Sequence, residues 1–421
     1  MVAKHQSRLS FAHTAGHDLS PQLQERSAIA LLGLLFFSVL TVWIQGSWAA
    51  SLFHGAVFGL TAFVSICLIP LDVRCRGNAL LFPLCGIIAL GLLQIATRRT
   101  VYPWETWNAV VIWCASFALV FVAAQLFRTS AARRHFLSSA FYFGFILSSI
   151  ALAQLWLSPG KAFGLFETGF RDHVMGPFVS RNLYAAFVEL LLPIGLLRAV
   201  TLRRHQAFRY TAMSGVMFVS VVVCASRAGI VLICAEAAAL LLLACLRKLV
   251  STRKVIIALS LVTLSSAAFL VLLGQTSAWT RFSEPEPYAA RRQMLRSSLD
   301  MLHERPWMGF GFGTWHIVYP AFAYYDDGTV TSHAHNDWVE WAAEGGLPLF
   351  LMMLGVAILS VRPAIRSLWG IGILAVLGHC AVDSPLQNPA FAAWFFVLSG
   401  LLAVNQTQIP DAPKPAATSS L

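Results

Sequence analysis

Charge is the scarcest property of this 421-residue chain: 12% of its residues are Asp, Glu, Lys or Arg, against 57% hydrophobic. A soluble domain carries roughly a quarter of its residues as charges, so that class is excluded. Acids are rarer than bases, 19 against 30, which leaves a formal net charge of +11. A surplus of that size would suit nucleic acid, but no soluble basic domain exists to hold it, and no nucleic-acid partner is expected. Long polar connections on the basic side are also missing. The loops there run to about ten residues each and contain no phosphate-binding Gly-rich loop, which argues against ATP-driven transport and a nucleotide-sugar donor. The eight cysteines fall inside apolar runs or beside their basic ends, as Cys75 does, so no disulfide framework is implied.

What fills the chain instead is apolar runs of about 20 residues, the length that crosses a hydrocarbon core as a helix. They lie near 28–45, 52–71, 79–96, 107–127, 136–157, 182–200, 211–225, 228–246, 255–273, 346–361, 368–383 and 390–405. Only helices satisfy their own backbone in lipid over such runs. The expected fold is therefore an all-α polytopic membrane protein, with about 12 transmembrane helices and one large extracytoplasmic loop before the tenth. Residues 1–27 form a cytoplasmic N-terminal segment, and 28–273 hold helices one to nine with an outer loop near 158–181. Residues 274–345 form the large outer loop, 346–405 the last three helices, and 406–421 a disordered Pro/Ala/Ser-rich cytoplasmic tail. The first run, followed by "SWAAS", loosely resembles a signal peptide. Its leader is long and its apolar core exceeds the usual length of about 7–15 residues, so an uncleaved first helix is expected.

Charge also separates the two faces. With both termini inside, 19 of the 30 Lys and Arg fall in the inner segments, and 12 of the 19 Asp and Glu fall in the outer loops. Lys and Arg of short loops mark the cytoplasmic side and contact anionic membrane lipids. Any chemistry carried by the polar clusters is therefore extracytoplasmic.

Four segments could carry it. The first is "TSHAHNDWVEWAAEGGLPLF" (331–350), set directly against an apolar run. His333 and His335 with Asp337 would make a metal pair, though no cysteine assists and no metal is expected. His335 alone would serve as a base or orienting donor near neutral pH. The plain structural reading is a helix capped by Asn336 or Asp337 and ended by Gly345-Gly346. The second is "CASRAGIV" (224–231), where Arg227 sits in a turn between two spans: it either snorkels to headgroups or forks phosphate oxygens.

The third segment begins with "RRQMLRSSLDML" (291–302), which predicts an amphipathic helix on the membrane surface with Met294, Leu295, Leu299 and Leu302 as its apolar stripe. Arg291 on it is a second phosphate ligand or a lipid contact, and the following "GFGFG" lets the chain turn tightly. The fourth is "GPFVSRNLYAAFVELLLP" (176–193), which puts Arg181 and Asn182 at a helix N-terminus, either as an anion site or as ordinary capping. Glu189 and Glu236 are acids inside spans, and His379 lies within about one turn of an outer helix end. None of the three is assigned a role.

Taken together and in order, these segments resemble the O-antigen ligase and polymerase superfamily, membrane enzymes that move glycans off undecaprenyl diphosphate. The likeness covers about 176–350. "HND…E-G-G-LP" is similar to that family's His-Asn motif ahead of a Glu-Gly pair, and "SRAG" to its Ser-Arg-Gly/Ala turn. "R…LDML…RPWMGFGFGTW" is similar to its Arg…Pro…Gly-x-Gly segment, and "GPF…N…A" to a further one. The chain departs at Ser180, where members often have Asn, and at Leu295, where an aromatic residue is common.

The resemblance implies that Arg227 and Arg291 bind the donor diphosphate and that His335 serves the acceptor hydroxyl or the leaving group. Ser226, Asn182, Asn336, His333 and Glu344 would support them, with no cofactor. It implies a multi-pass protein of the bacterial inner membrane with its site facing the periplasm. The donor would be an undecaprenyl-diphosphate-linked glycan and the acceptor lipid A–core, or a growing polysaccharide if the chain is a polymerase. A ligase is the leading expectation. A lipid or polysaccharide transporter and a non-catalytic scaffold are the other classes.

Overall fold

The computed structural model describes residues 20–44, 46–68, 77–168, 174–253, 255–256, 260, 263–264, 267, 288–324, 328 and 330–404. The helices follow in order as α1 (Pro21–Leu40), α2 (Ser47–Leu68), α3 (Leu81–Ala96), α4 (Pro103–Leu126), α5 (Ser130–Leu157), α6 (Arg181–Thr201), α7 (Arg204–Val223) and α8 (Arg227–Leu246). After them come α9 (Ala289–Glu304), α10 (Trp315–Val318), α11 (Asp337–Ser367), α12 (Ile371–His379) and α13 (Pro389–Val404). A two-stranded hairpin, β1 (Lys161–Ala162) with β2 (Phe166–Glu167), sits in the loop between α5 and α6. Eight of the helices, α1, α2, α4 to α8 and α11, are long and apolar enough to cross a membrane, while α3 and α13 are apolar but shorter. The chain is a helical, multi-pass membrane protein.

Two of the expected runs differ. The run near 255–273 lies largely outside the described residues, as do the N-terminal segment before residue 20 and the tail after 404. The run near 368–383 is only the nine-residue α12. At 1.5 Å per residue such a helix rises about 13 Å, under half of a hydrocarbon core of about 30 Å. The remaining residues of that run form a polar turn, Cys380 to Ser384, that becomes part of the site described below.

Helix α6 is the centre of the bundle. Tyr184 to Gly195 are all buried, packed among α5, α7, α8 and α12. Beside it Trp394 of α13 stacks on Phe143 and meets Phe187 edge-on, with ring centroids 5.6 and 5.5 Å apart, and its indole N–H donates to Leu35 O at 2.9 Å. One end of the bundle is basic. There Arg198 donates to Ser138 Oγ at 2.6 Å and Tyr210 OH at 2.8 Å, and Arg247 donates to the carbonyls of Arg366 and Ile365 at 2.8 and 2.6 Å. Guanidiniums at helix C-termini satisfy carbonyls left without partners and complement the negative dipole end. The N-termini of α6, α8 and α11 lie at the opposite end.

A break in α11 ties that opposite end together. Gly346 adopts φ 66° and ψ −168°, so the helix bends where the sequence predicts the first segment to stop. Pro348 has no N–H to offer Glu344 O, and Leu347 N turns away to donate to Pro306 O at 2.7 Å. The freed carbonyls of Ala343 and Glu344 accept from Phe310 N and Gly311 N, both at 3.0 Å. Glu344 O also accepts from Gln94 at 2.8 Å. The "GFGFG" loop is therefore pinned flush against the bend, and a Cβ on Gly309 would collide with Glu344 O.

Helix α9 forms as expected, but with a different buried face. Met294, Ser297, Ser298 and Met301 face inward, while Leu299 is 48% exposed. The two serines explain the rotation. Small hydroxyls let the 310–322 segment approach closely: Ser298 Oγ accepts from Trp315 Nε1 at 2.9 Å, and Ser297 Oγ donates to Phe322 O at 2.8 Å.

Candidate active site

Three helix N-termini and one turn build the site. Ser180 caps α6, Ser226 caps α8 and Asn336 caps α11, each accepting from a backbone N–H three residues on. Each cap frees the chain just ahead of it to bend sharply. Ala225 (φ 55°) and His335 (φ 49°) both occupy the left-handed region, which costs an L-residue about 1–2 kcal/mol. Such outliers persist only where the surroundings hold them, and they cluster at working sites.

Asp383, in the turn after α12, is the hub. Its Oδ1 lies 2.8 Å from His335 Nδ1 and accepts from Ser384 N at 2.9 Å. Its Oδ2 accepts from Asn182 Nδ2 and lies 3.5 Å from Arg291 Nη2. Arg291 also donates to Val382 O at 2.5 Å, and Asn182 Oδ1 accepts from Ser226 Oγ at 2.8 Å. Burial alone would raise the Asp383 pKa, but the hydrogen bond and charge of His335, with Arg291 behind it, hold the carboxyl well below its usual range. An ionised carboxylate only accepts, so Nδ1 of His335 carries a hydrogen, and in the neutral ring Nε2 is then the nitrogen with the lone pair.

Beside this hub lies a cleft lined by Arg181, Asn182, Arg227, Tyr288 and Arg291. The Arg227 guanidinium stacks over the Tyr288 ring at 4.7 Å. Arg181 Nη1 is buried with no hydrogen-bond partner among the described residues. Guanidiniums and two positive helix ends thus converge beside Asp383, whose carboxylate is already engaged by His335, Asn182 and Ser384. The cleft suits an anion with several oxygens.

Asn182, Ser226, Arg227, Arg291 and His335, all expected from the sequence, meet here. The other expected residues stand around them. Asn336 caps α11 and ties it to the turn by donating to Ala381 O at 2.8 Å. Glu344 accepts from Trp315 N at 3.0 Å, deep beneath the surface, and so anchors the "GFGFG" loop. His333 turns away from the cleft to Glu340, with Nδ1 and Oε1 2.9 Å apart. Burial works to lower the His333 pKa, but the hydrogen bond and charge of Glu340 outweigh it and raise the value. Glu340 also accepts from Ala334 N at 2.7 Å and Ser384 Oγ at 3.4 Å, forming a second clasp between the histidine loop and the turn. The two histidines therefore engage different carboxylates, and among the described residues no group of His, Cys, Asp and Glu is arranged to hold a metal ion.

Sequence reasoning missed Asp383, Tyr288 and Glu340. Asp383 was hidden inside a segment that reads as a span, and Tyr288 lies outside every motif. The sequence signal for Asp383 was its setting: a charged residue in "HCAVDSP", with Pro385 ending any helix.

Residues 212–354 match the family model described as O-antigen ligase. The match takes in Ser226, Arg227, Arg291, His335 and Glu344, and leaves Asn182 and Asp383 outside it. No curated protein matches the chain.

Proposed function

With an O-antigen ligase domain over residues 212–354, the chain is a member of the O-antigen ligase and polymerase superfamily, and we propose that it joins a glycan from undecaprenyl diphosphate to a hydroxyl of lipid A–core. The observation that carries this reading is the convergence of Asn182, Arg227, Arg291 and His335, from four distant segments, beside Asp383. In the proposed reaction the acceptor hydroxyl attacks the anomeric carbon. The carbon–oxygen bond to the diphosphate breaks, and the diphosphate leaves with the electron pair. One displacement inverts the anomeric centre. His335 Nε2 takes the hydroxyl proton, and its Nδ1–H, held by Asp383, fixes the ring and stabilises the imidazolium.

Charge that develops on the leaving diphosphate falls to Arg227, Arg291 and the N-termini of α6 and α8, with Arg181 Nη1 free to join them. A lipid-linked donor suits a site at the end of a membrane bundle, because its tail stays in the bilayer while its diphosphate reaches the cleft. The basic opposite end supports placing the site on the periplasmic face of a bacterial inner membrane.

The test uses the purified full-length protein with an undecaprenyl-diphosphate glycan, with and without lipid A–core, following product linkage and length. Product formed only with lipid A–core supports the ligase reading. Longer carrier-linked chains from donor alone make it a polymerase of the same superfamily. Absence of any transfer, with flipping of the lipid-linked glycan between leaflets, would replace both with a transporter.

A further inference from the structure

Glu189 and His379 meet in the interior of the bundle, one layer beneath the cleft, and the proposed reaction uses neither. Both oxygens of Glu189 face His379 Nδ1, at 3.0 and 3.1 Å, and both side chains are 0% exposed. Taking two ionisable groups out of water is costly, and an apolar pair of equal volume often packs as well. An ionisable pair at such depth in a membrane bundle therefore calls for a function.

Its connections supply one. The carbonyl of His379 accepts from Val382 N and Asp383 N, both at 2.9 Å, so His379 is the first residue of the turn that carries the hub. Val382 O in turn holds Arg291. On α6, Asn182 and Glu189 are seven residues apart, two helical turns, and so share one face. That single face grips the turn at both ends: Asn182 on Asp383 above, and Glu189 on His379 below. Close approach fixes the register, since a Cβ on Gly372 of α12 would meet Glu189 O at 2.5 Å. Glu236 of α8 is a contrast. It is equally buried and an electrostatic neighbour of Glu189, yet neither of its oxygens makes a hydrogen bond among the described residues.

We propose that Glu189 and His379 are positioning residues for the reaction: they clamp the turn after α12 to α6 so that Asp383 keeps its contact with His335. The charged and titratable groups facing this pair are Glu236 on α8, Cys224 after α7, Cys380 and Asp383 in the turn, and Arg291 on α9. The proposal rests on the transferase reading. A turn displaced by a fraction of an ångström moves Asp383 and so misdirects the Nε2 lone pair of His335.

The experiment compares full-length wild type with Glu189→Gln, His379→Gln and Glu236→Gln in the same transfer assay across pH. For the first two variants kcat per folded molecule falls about tenfold or more, and the limb of the pH–kcat profile that reports His335 moves. Glu236→Gln keeps the wild-type rate and profile. Superimposable profiles for wild type and Glu189→Gln would overturn the proposal, as would an equal fall in Glu236→Gln. Failure of both Glu189→Gln and His379→Gln to fold would also overturn it, leaving the pair a purely structural one. A wild type that transfers nothing would sink the transferase reading itself, which separates that failure from this one.

Discussion

His335 Nδ1 and Asp383 Oδ1 stand 2.8 Å apart although 48 residues separate them in the chain. This contact decides which ring nitrogen of His335 is free to take a proton. Asp383→Asn keeps the size of the side chain but loses the charge, and its amide can present an N–H that favours the wrong tautomer. The expected loss in kcat is about 100-fold or more, within the range for general bases and their orienting partners. His335→Ala is expected to lose at least as much, and combining the two should cost little beyond either alone, because they act as a unit. Transfer rates of the two variants and the double variant check this; full additivity would show that they act separately.

The cleft makes a different prediction for its arginines. A charge-assisted hydrogen bond contributes about 1.5–3 kcal/mol, or roughly 10- to 100-fold in binding. Arg227→Ala and Arg291→Ala are each expected to weaken donor binding by about that factor. Arg227→Lys should recover only part of it, since an ammonium can neither fork two phosphate oxygens nor stack on Tyr288 in the same way. Titration with undecaprenyl diphosphate alone reads this without turnover. In the proposed reaction guanidiniums and helix ends supply the charge stabilisation, so transfer is expected to continue in EDTA. Loss with EDTA and recovery with a divalent ion would overturn that expectation.

Two carboxylate–histidine contacts give opposite pH signatures. Asp383 has a depressed native pKa, so its contribution to stability is present above the unfolded value of about 3.9. It is lost progressively as pH falls below that toward the native value. His333 has a raised native pKa, so its contribution is present below about pH 6.5 and lost as pH rises through the native value. The His333 side chain is 43% exposed, so solvent screening limits the effect to about 1 kcal/mol or less. Melting temperatures of wild type, Asp383→Asn and His333→Gln against pH check both. The first variant should flatten the acid side only, and the second the alkaline side only.

The parts of this molecule written locally were legible in the sequence. Apolar runs announced the spans, Asn336 announced where a helix begins, and the Gly345-Gly346 pair announced where its first segment stops. Arg227, Arg291 and His335 stood out because charge and imidazole are rare beside apolar runs. What could not be read was pairing at a distance. Nothing near Asp383 says that it faces His335, and nothing in "RRQMLRSSLDML" says that Ser297 and Ser298 face inward instead of Leu299. Those choices are made by the 310–322 segment and by α6, whose positions depend on the whole bundle. A short helix such as α12 is likewise invisible when its apolar residues run on into a polar turn.

Gly309 tests whether the bend in α11 serves the site. It sits at φ 59°, where an L-side chain costs about 1–2 kcal/mol, and its added Cβ would also collide with Glu344 O. Gly309→Ala must therefore lift the "GFGFG" loop off the freed carbonyls of Ala343 and Glu344. Those carbonyls would lose Phe310 N and Gly311 N, and Trp315 N would lose its seat on the Glu344 carboxylate. Arg291, on α9, and His335, just ahead of α11, lie on the chain leading into the two segments that this seam joins, so their spacing changes with it. The expected result is a protein that still inserts in membranes and still binds undecaprenyl diphosphate through Arg227, yet melts several degrees lower and transfers glycan at least tenfold more slowly. Gly328→Ala is the control: it also has a positive φ, 73°, but a Cβ there meets nothing within 4 Å. Equal losses in the two variants would mean that backbone strain alone is responsible. A loss confined to Gly309→Ala would assign it to the seam between the loop and the bend.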